Sequence, residues 1–309
     1  MKKIITTTIL ALSMTSAFAQ VIPAKDDGKG LTVDVLDFQK DPTLKRIHDT
    51  KTFTIAVRKS SAPFSQGNQA DGYSGIAVNY CKQVGEYLKE YVPDLQFKYI
   101  EVDSKTRIPA IKDGKADIEC GSTTNNAKRR QEVSFSMPYY VAAIKAITLR
   151  SSNITSLEYM DGKTIVYTKG TTTKDVAEKA FWNLKGDKVK TINGEDHAES
   201  FKLLTEKKAD VFINDDVLLY TLAQKTGHIE NYRFLDVSLS IEPYGLMTQK
   251  GTALTSIANY VIRKSMKDGS YQATWEKAFG DKKKGKIMDE YLRQCKSDLP
   301  MSVCNNVPL

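Results

Sequence analysis

The feature that most constrains the fold is an alternation of strand and helix patterns that occurs twice along the chain. In the first series the segments are, in order, 53–57 (strand), 75–92 (helix), 96–102 (strand), 108–111 (helix) and 116–120 (strand). The second series comprises strands at 164–168, 189–192 and 211–214, with helices starting near 172, 198 and 217. Such alternation is typical of α/β units built on a mostly parallel sheet. The chain is therefore predicted to form two α/β lobes.

Two segments lie where one series gives way to the other: the strand at 142–150 and the stretch SIEPYGLMTQK at 240–250. We predict that both cross between the lobes. If the final helices, between Leu254 and Arg293, pack on the first lobe, the chain passes between lobes twice and forms a hinge. The expected boundaries are 43–146 and 245–309 for lobe 1, and 147–244 for lobe 2.

The first nineteen residues have the pattern of an export signal. Lys2 and Lys3 precede an apolar run from Ile4 to Met14, and Ala17-Phe18-Ala19 is a small-residue cleavage site. The run is shorter than the ~20 apolar residues that a bilayer-spanning helix requires. We expect a signal peptide (1–19) cleaved after Ala19, and a periplasmic mature protein. Residues 20–42 lack a sustained period and are predicted to be a loosely ordered leader.

The four cysteines contain no CxxC spacing of the kind used for zinc or redox dithiols. In an oxidising compartment they are expected to form disulfides. Cys295 and Cys304 are predicted to pair and close a short loop in the tail. Cys81 and Cys120 either pair or remain buried thiols. Because the first cysteine after the cleavage site is Cys81, no lipid anchor is expected.

Composition and motifs argue against several functions. The formal charge of +8 includes two signal-peptide lysines and is spread along the chain, so nucleic-acid binding is not indicated. HExxH, GxSxG, the phosphate-binding GxxxxGK[ST] loop and GxGxxG are all absent, and there are three histidines in total. No enzyme activity, cofactor or metal site is expected.

Arginine follows each strand of the first series. Arg58 follows the first strand, Arg107 lies in DSKTRIP after the second, and Arg129 or Arg130 lies in GSTTNNAKRRQ after the third. Ligands of open α/β sheets bind outside the carboxyl ends of the strands. The three loops therefore predict a site for an anionic small molecule.

The loops of the second series are also polar. Thr171–Thr173 lie at a predicted helix start, where unpaired N–H groups and hydroxyls favour an anion. Glu195, Asp196 and His197 follow the next strand, and Asp215 and Asp216 follow the last. Each residue alone has a structural explanation as a cap or a solvated side chain. Their occurrence in consecutive loops points to one site.

Several stretches resemble the extracellular solute-binding proteins of polar amino-acid ABC transporters, in particular the glutamate/aspartate subgroup. They are TLKRIHDTKTFTIAVRKSSAPFS, GYSGIAVNYC, RIPAIKDGKADIECGSTTNNAKRRQEVSFSMPYY and IVYTKGTTTKDV, together with the Asp215 region. The likeness spans roughly 43–280 and is most specific from Arg107 to Tyr140. It implies a two-lobed type II periplasmic binding protein fold. It also implies a monomer that captures L-glutamate or L-aspartate by hinge closure and delivers it to membrane permease subunits.

The resemblance also implies roles for individual residues. The arginine six residues before the FS of FSxPYY, counted from Phe135, is Arg129, which would clamp the ligand α-carboxylate. Ser122 and Thr124 would add contacts to the α-carboxylate and ammonium, and Asp215 would receive the ammonium. Asp216 would be a helix cap.

The remaining implied contacts concern the second lobe and the ligand side chain. Thr172 would close on the ligand from lobe 2. Arg58, Ser104 and Arg107 would hold the side-chain carboxylate, with His197 as a further polar contact. Three arginines against one aspartate and a neutral histidine would give the site a surplus of positive charge. That surplus suits a dicarboxylic amino acid, whereas glutamine would leave a buried arginine without a partner.

Two other classes of function remain as alternatives. Periplasmic cyclohexadienyl dehydratases are enzymes that resemble these binding proteins, and an exported sensory or adhesive domain could use the same scaffold. Within the favoured class the sequence does not rank glutamate above aspartate, because one methylene is worth only ~1–3 kcal/mol in pocket fit.

Overall fold

The computed structural model describes Val21–Ile22, residues 36–185 and residues 188–280. Three predictions lie outside these residues: the signal peptide with its cleavage site, most of the leader, and the Cys295–Cys304 bridge with the last predicted helix.

Strands and helices are numbered in chain order. The strands are β1 Val21–Ile22, β2 Leu36–Asp37, β3 Thr52–Val57, β4 Ser60–Ser61, β5 Ser65–Asn68, β6 Gly72–Ser74, β7 Gln96–Glu101, β8 Ile118–Cys120, β9 Ser134–Phe135, β10 Tyr140–Leu149, β11 Thr164–Thr168, β12 Lys190–Gly194, β13 Val211–Asp215, β14 Tyr232–Phe234, β15 Ile241–Tyr244 and β16 Met247–Thr248. The α-helices are α1 Pro42–Thr50, α2 Ile76–Lys89, α3 Arg107–Lys112, α4 Thr173–Ala180, α5 His197–Thr205, α6 Asp216–Lys225, α7 Leu254–Asp268 and α8 Ser270–Phe279.

Lobe 1 is built on a five-stranded sheet in the order β7-β3-β8-β16-β9. β7, β3 and β8 are parallel neighbours, and β16 runs antiparallel to both of its neighbours. Five of the six residues of β3 (TFTIAV) are buried, as a strand covered on both faces requires. The sheet is mixed rather than mostly parallel, because β16 follows the second crossing of the chain and runs in the opposite direction.

Lobe 2 is built on a sheet in the order β12-β11-β13-β10-β14. β12, β11 and β13 are parallel neighbours, whereas β10 is antiparallel to both β13 and β14. Apolar clusters cover both faces of this sheet, one around Ile165 and Ile213 and the other around Phe212 and Leu219. Each lobe therefore buries its central parallel strands, β3 and β8 in lobe 1 and β11 and β13 in lobe 2. The carboxyl ends of the parallel strands in each lobe lie at one edge of the sheet.

The two crossings between the lobes are the paired strands β10 and β15. The first part of β10 pairs with β15, with Tyr140 opposite Tyr244 and Ala143 opposite Ile241. The next residue, Ile144, pairs with Asp215 of β13. One continuous strand thus passes from the crossing into the sheet of lobe 2, and Asp215 lies at that transition.

A disulfide joins Cys81 of α2 to Cys120 of β8, with Cα atoms 6.3 Å apart. Both cysteines belong to the apolar core of lobe 1. Of the two alternatives left open by the sequence, pairing is confirmed.

The packed part of lobe 1 begins before Thr43, within the segment predicted as a loosely ordered leader. Leu36 and Phe38 are buried in the core of lobe 1. Asp41 caps α1 by accepting hydrogen bonds from the Thr43 and Leu44 amides, at 2.9 and 3.0 Å. Asp41 Oδ2 also accepts from Thr252 Oγ1 at 3.0 Å and from the Ala253 amide at 2.7 Å. These two partners could not be read from a local period, because they lie 211 and 212 residues along the chain.

No helix in the described ranges has the length and apolar character needed to cross a membrane.

Candidate ligand-binding site

The predicted site residues follow the carboxyl ends of the parallel strands in both lobes. Because these ends share one edge of each sheet, and the two edges face each other, the side chains converge in the cleft between the lobes. Lobe 1 contributes Arg58, Ser104, Arg107, Ser122, Thr124 and Arg129, and lobe 2 contributes Thr172, His197 and Asp215. All are buried except Thr172, which is half-buried.

Arg58 and Arg107 are buried guanidinium groups, 1% and 2% exposed. Arg58 Nη2 donates to Ser104 Oγ at 2.7 Å. Arg107 Nη1 donates to Thr123 Oγ1 at 2.7 Å and to the Ser122 carbonyl at 3.0 Å. Burial, followed by repulsion from Arg107, lowers the pKa of Arg58 to about 10, so Arg58 remains a cation at neutral pH. Burial also lowers the pKa of Arg107.

Arg129, and not Arg130, is the third arginine of the cleft. Its Nη1 donates to the Thr124 carbonyl at 2.9 Å, and its Nη2 donates across the cleft to the Gly170 carbonyl at 3.4 Å. Arg130 is exposed, and its Nη1 donates to Asn125 Oδ1. Burial, followed by the charge of Arg107, lowers the pKa of Arg129 to about 9.

Glu119 is a buried carboxylate that the sequence analysis missed. It is 0% exposed in β8, and its Oε2 accepts a hydrogen bond from Thr123 Oγ1 at 2.7 Å. Its negative charge favours the charged forms of Arg58 and Arg107. The available signal was an acidic residue within ADIEC, the third predicted strand of the first series.

His197 is a neutral ring that faces lobe 1. Its Nδ1 lies 3.2 Å from Thr168 Oγ1 and 2.9 Å from Asn214 Nδ2, and its Nε2 lies 3.4 Å from Arg58 Nη2. Burial, followed by the charges of Arg58 and Arg107, lowers the pKa of His197 well below its usual range. A neutral ring has one acceptor nitrogen, so of the two N–H donors at its opposite nitrogens, Arg58 Nη2 and Asn214 Nδ2, it can accept from one at a time.

Asp215 ends β13 and accepts a hydrogen bond from the Tyr244 hydroxyl through Oδ2. Burial, followed by the charge of Glu242, raises its pKa to about 7. The neighbouring Asp216 has a different role, because its Oδ1 accepts from the backbone amides of Val217 at 2.7 Å and Ala143 at 3.3 Å.

Glu242 is the second carboxylate missed from sequence. It lies on β15 and is 3% exposed. Its Oε2 accepts from Thr172 Oγ1 at 3.1 Å, and its Oε1 accepts from Ser240 Oγ at 2.5 Å. The segment had been identified as a crossing, but the direction of its side chains depends on the pairing of β15 with β10.

The predicted surplus of positive charge is therefore wrong for the cluster as a whole. Three guanidinium groups (Arg58, Arg107, Arg129) are matched by three carboxyl groups (Glu119, Asp215, Glu242). The charges are instead separated in space. The three cations and Glu119 belong to lobe 1, whereas Asp215 and Glu242 belong to lobe 2 and the crossing strand.

Four buried polar atoms of this cluster have no hydrogen-bond partner among the described residues. They are Arg58 Nη1, Arg107 Nε, Glu119 Oε1 and Asp215 Oδ1. Buried polar atoms are normally paired, so the cluster has two unused donors and one unused acceptor on the lobe 1 side, and one unused acceptor on the lobe 2 side. This arrangement suits a ligand that carries both anionic and cationic groups.

The lobes are in contact across the cleft. Besides the contacts of Arg58 and Arg129, a hydrogen bond joins Lys225 Nζ to Gln66 Oε1 at 3.1 Å. The cleft is closed in this structure.

In the described ranges no group of three or more His, Cys, Asp and Glu side chains is arranged to hold a metal ion.

Comparison with known proteins gives consistent matches over most of the chain. Residues 53–281 match the family model for bacterial extracellular solute-binding proteins, family 3. An L-glutamate/L-aspartate-binding protein of Pseudomonas aeruginosa is 32% identical over 256 residues, which cover 81% of this chain and 83% of the relative. The ABC transporter glutamine-binding protein of Bacillus subtilis is 29% identical over 273 residues, covering 87% and 96%.

Among solved structures, a substrate-binding protein of an ABC uptake transporter from Streptococcus pneumoniae, with bound histidine, has a TM-score of 0.69 at 20% identity. The match covers 79% of this chain and 98% of that one. At this identity the likeness concerns the fold alone.

Proposed function

Because the chain belongs to the bacterial extracellular solute-binding proteins of family 3, we propose that it captures L-glutamate or L-aspartate and delivers it to an ABC permease. The related glutamate/aspartate-binding protein of Pseudomonas aeruginosa supports this ligand class. Solute binding, and not catalysis, is the activity of the family.

The observation that carries the proposal is the separation of charge in the cleft. An acidic amino acid has two carboxylates and one ammonium. Arg58, Arg107 and Arg129 supply cationic donors on the lobe 1 side, and Asp215 supplies a buried acceptor on the lobe 2 side. Glutamine has one carboxylate fewer, so the donors of Arg58 and Arg107 would face a neutral amide in place of an anion.

The proposed contacts divide the ligand into two ends. Arg129 takes the α-carboxylate, with Ser122 and Thr124 beside it. Arg58, Ser104 and Arg107 take the side-chain carboxylate, with His197 closing from lobe 2. At the α-carbon, Asp215 receives the ammonium and Thr172 closes over the ligand.

Hinge closure is the proposed mechanism of capture. The paired strands β10 and β15 form the connection about which the lobes turn. The predicted boundaries are 146/147 and 244/245, and the pairing of β10 passes from β15 to β13 between Ala143 and Ile144. Contacts from lobe 2 exist only in the closed form, so a ligand that makes them shifts the population towards closure. The closed shape is then recognised by the permease.

The proposed site of action is the periplasm. Membership of an extracellular family supports export, and the first nineteen residues support cleavage after Ala19. The mature protein is proposed to act as a monomer with the permease subunits as its partners.

A ligand screen on the mature chain tests the proposal. Charge-assisted hydrogen bonds contribute ~1.5–3 kcal/mol each, so several of them, less the entropy lost on binding, give an expected Kd of about 1 μM or lower. In a thermal-shift screen of the common amino acids, L-glutamate or L-aspartate should raise the melting temperature most. Titration calorimetry then gives the Kd.

The same screen separates the alternatives. A larger shift with glutamine or histidine than with both acidic amino acids would contradict the proposed ligand class. Incubation with arogenate or prephenate, followed by absorbance, tests the dehydratase alternative, and no turnover is expected.

A further inference from the structure

The side chain of Glu242 lies on the same side of β15 as that of Tyr244. Side chains two residues apart in a strand point to one face. The Tyr244 hydroxyl donates to Asp215 Oδ2, so this face of β15 is directed at the end of β13. The carboxylate of Glu242 is therefore brought towards Asp215 by the crossing strand itself.

The carboxylate of Glu242 can accept further hydrogen bonds besides the two that it makes. Its two oxygens receive one hydroxyl each, from Thr172 and Ser240. A carboxylate has about four acceptor positions, and neutral hydroxyls do not cancel its charge. Glu242 is 3% exposed, so a nearby cation would interact with it in a poorly solvated environment.

Asp215 and Glu242 form a pair of buried carboxylates on one side of the cleft. Their mutual repulsion is part of the reason that the pKa of Asp215 is raised. An ammonium group has three N–H donors and relieves such repulsion, and Asp215 Oδ1 lacks a partner among the residues described. Among the cations of lobe 1, Arg129 interacts electrostatically with both carboxylates, and in the proposed binding mode it takes the ligand α-carboxylate.

We propose that Glu242 is a second acceptor for the ligand ammonium, and that the Asp215–Glu242 pair makes the cleft reject dicarboxylates that lack an amino group. This inference rests on the proposed function and adds a specificity residue to it. A dicarboxylate without an ammonium group would leave the carboxylates of Asp215 and Glu242 buried and repelling each other. The ammonium group of the amino acid would relieve that repulsion.

Affinity for an amino acid and for its desamino counterpart tests the role of Glu242. L-Glutamate is compared with glutarate, or L-aspartate with succinate, by calorimetry on the wild type and on Glu242→Gln. The variant should bind the amino acid about tenfold to a hundredfold more weakly and the desamino acid no more weakly than the wild type. Glu230→Gln, an exposed glutamate of lobe 2, is the matched control and should change neither affinity.

A purely structural role would give a different result. If Glu242 only holds Thr172, then Glu242→Gln and Thr172→Val should each lower the affinity for the amino acid and the affinity for the desamino acid by the same factor. That outcome would overturn the inference. Unchanged selectivity in Glu242→Gln would overturn it equally. Should that variant not fold, Glu242→Asp retains the charge but retracts it by one methylene, and the same loss of selectivity is expected.

The same affinities distinguish failure of the proposed function from failure of the inference about Glu242. A wild type that binds neither acidic amino acid would remove the ligand class and the inference together. Normal binding of the amino acid with equal binding of its desamino counterpart would remove the inference alone.

Discussion

Gly170 of lobe 2 packs directly against the backbone of Ser104 in lobe 1. A β-carbon on residue 170 would lie 2.6 Å from the carbonyl carbon and oxygen of Ser104. The carbonyl of Gly170 also accepts the hydrogen bond from Arg129. Closure therefore depends on a glycine at this position, because any side chain would separate the lobes where the arginine bridges them.

The first prediction concerns this contact. Gly170→Ala should weaken ligand affinity about tenfold or more, because the methyl group obstructs the closed form. Gly162→Ala is the matched control: both glycines have positive φ, 73° and 72°, but residue 162 has open space around the β-carbon position. Calorimetry gives the affinities, and small-angle scattering with and without ligand reports closure. Equal affinities in the two variants would show that backbone strain alone matters.

The second prediction distinguishes two adjacent arginines. Arg129→Ala should weaken binding by at least about a hundredfold, since it removes a buried, charge-assisted donor for the α-carboxylate. Arg130→Ala should bind nearly as the wild type does, because that side chain is exposed. Calorimetry on both variants is sufficient, and near-normal affinity in Arg129→Ala would contradict the assignment.

The third prediction is a pH dependence of the ligand-free protein. The pKa of Asp215 is raised to about 7 in the fold, against about 3.9 in an unfolded chain. Between these values the folded state binds more protons, so the contribution of this group to the free energy of unfolding falls as pH rises from about 4 to 7. Asp215→Asn removes this contribution. The free energy of unfolding of the variant, relative to that of the wild type, should therefore increase by about 1–3 kcal/mol between pH 4 and pH 8.

Urea unfolding at each pH measures this difference. The exposed Asp94→Asn serves as the control, and its difference from the wild type should not vary with pH. A pH-independent difference for Asp215→Asn would mean that the carboxyl group is ionised throughout.

The fourth prediction concerns the Cys81–Cys120 bridge, which joins residues 39 apart. Replacing both cysteines with alanine should lower the free energy of unfolding by about 2–4 kcal/mol, chiefly because the unfolded chain gains freedom. Urea unfolding measures the loss. Alkylation of the denatured, unreduced protein should leave both residues unlabelled, and labelled peptides would refute the bridge. The predicted Cys295–Cys304 bridge is tested by the same peptides.

The two-lobed α/β fold could be predicted because its signals are local. A buried strand such as FTIAV and a helix such as α2 carry their periodicity within a few residues. The positions of the arginines followed from chain order, since loops after parallel strands share one edge of the sheet. The family resemblance, through its spacing to Phe135, also selected Arg129 over its neighbour.

The acidic half of the site could not be obtained in this way. Glu242 reaches Thr172 across 70 residues of sequence, and Tyr244 reaches Asp215 across 29. Which face of β15 carries Glu242 is set by its register with β10, and that register involves residues about a hundred positions earlier. Sequence therefore determined the lobes and the cationic loops, through patterns that repeat within a strand or helix. Only the tertiary structure decided the balance of charge in the cleft. The charged neighbours of a buried carboxylate come from distant parts of the sequence, and the folded chain determines which of them lie beside it.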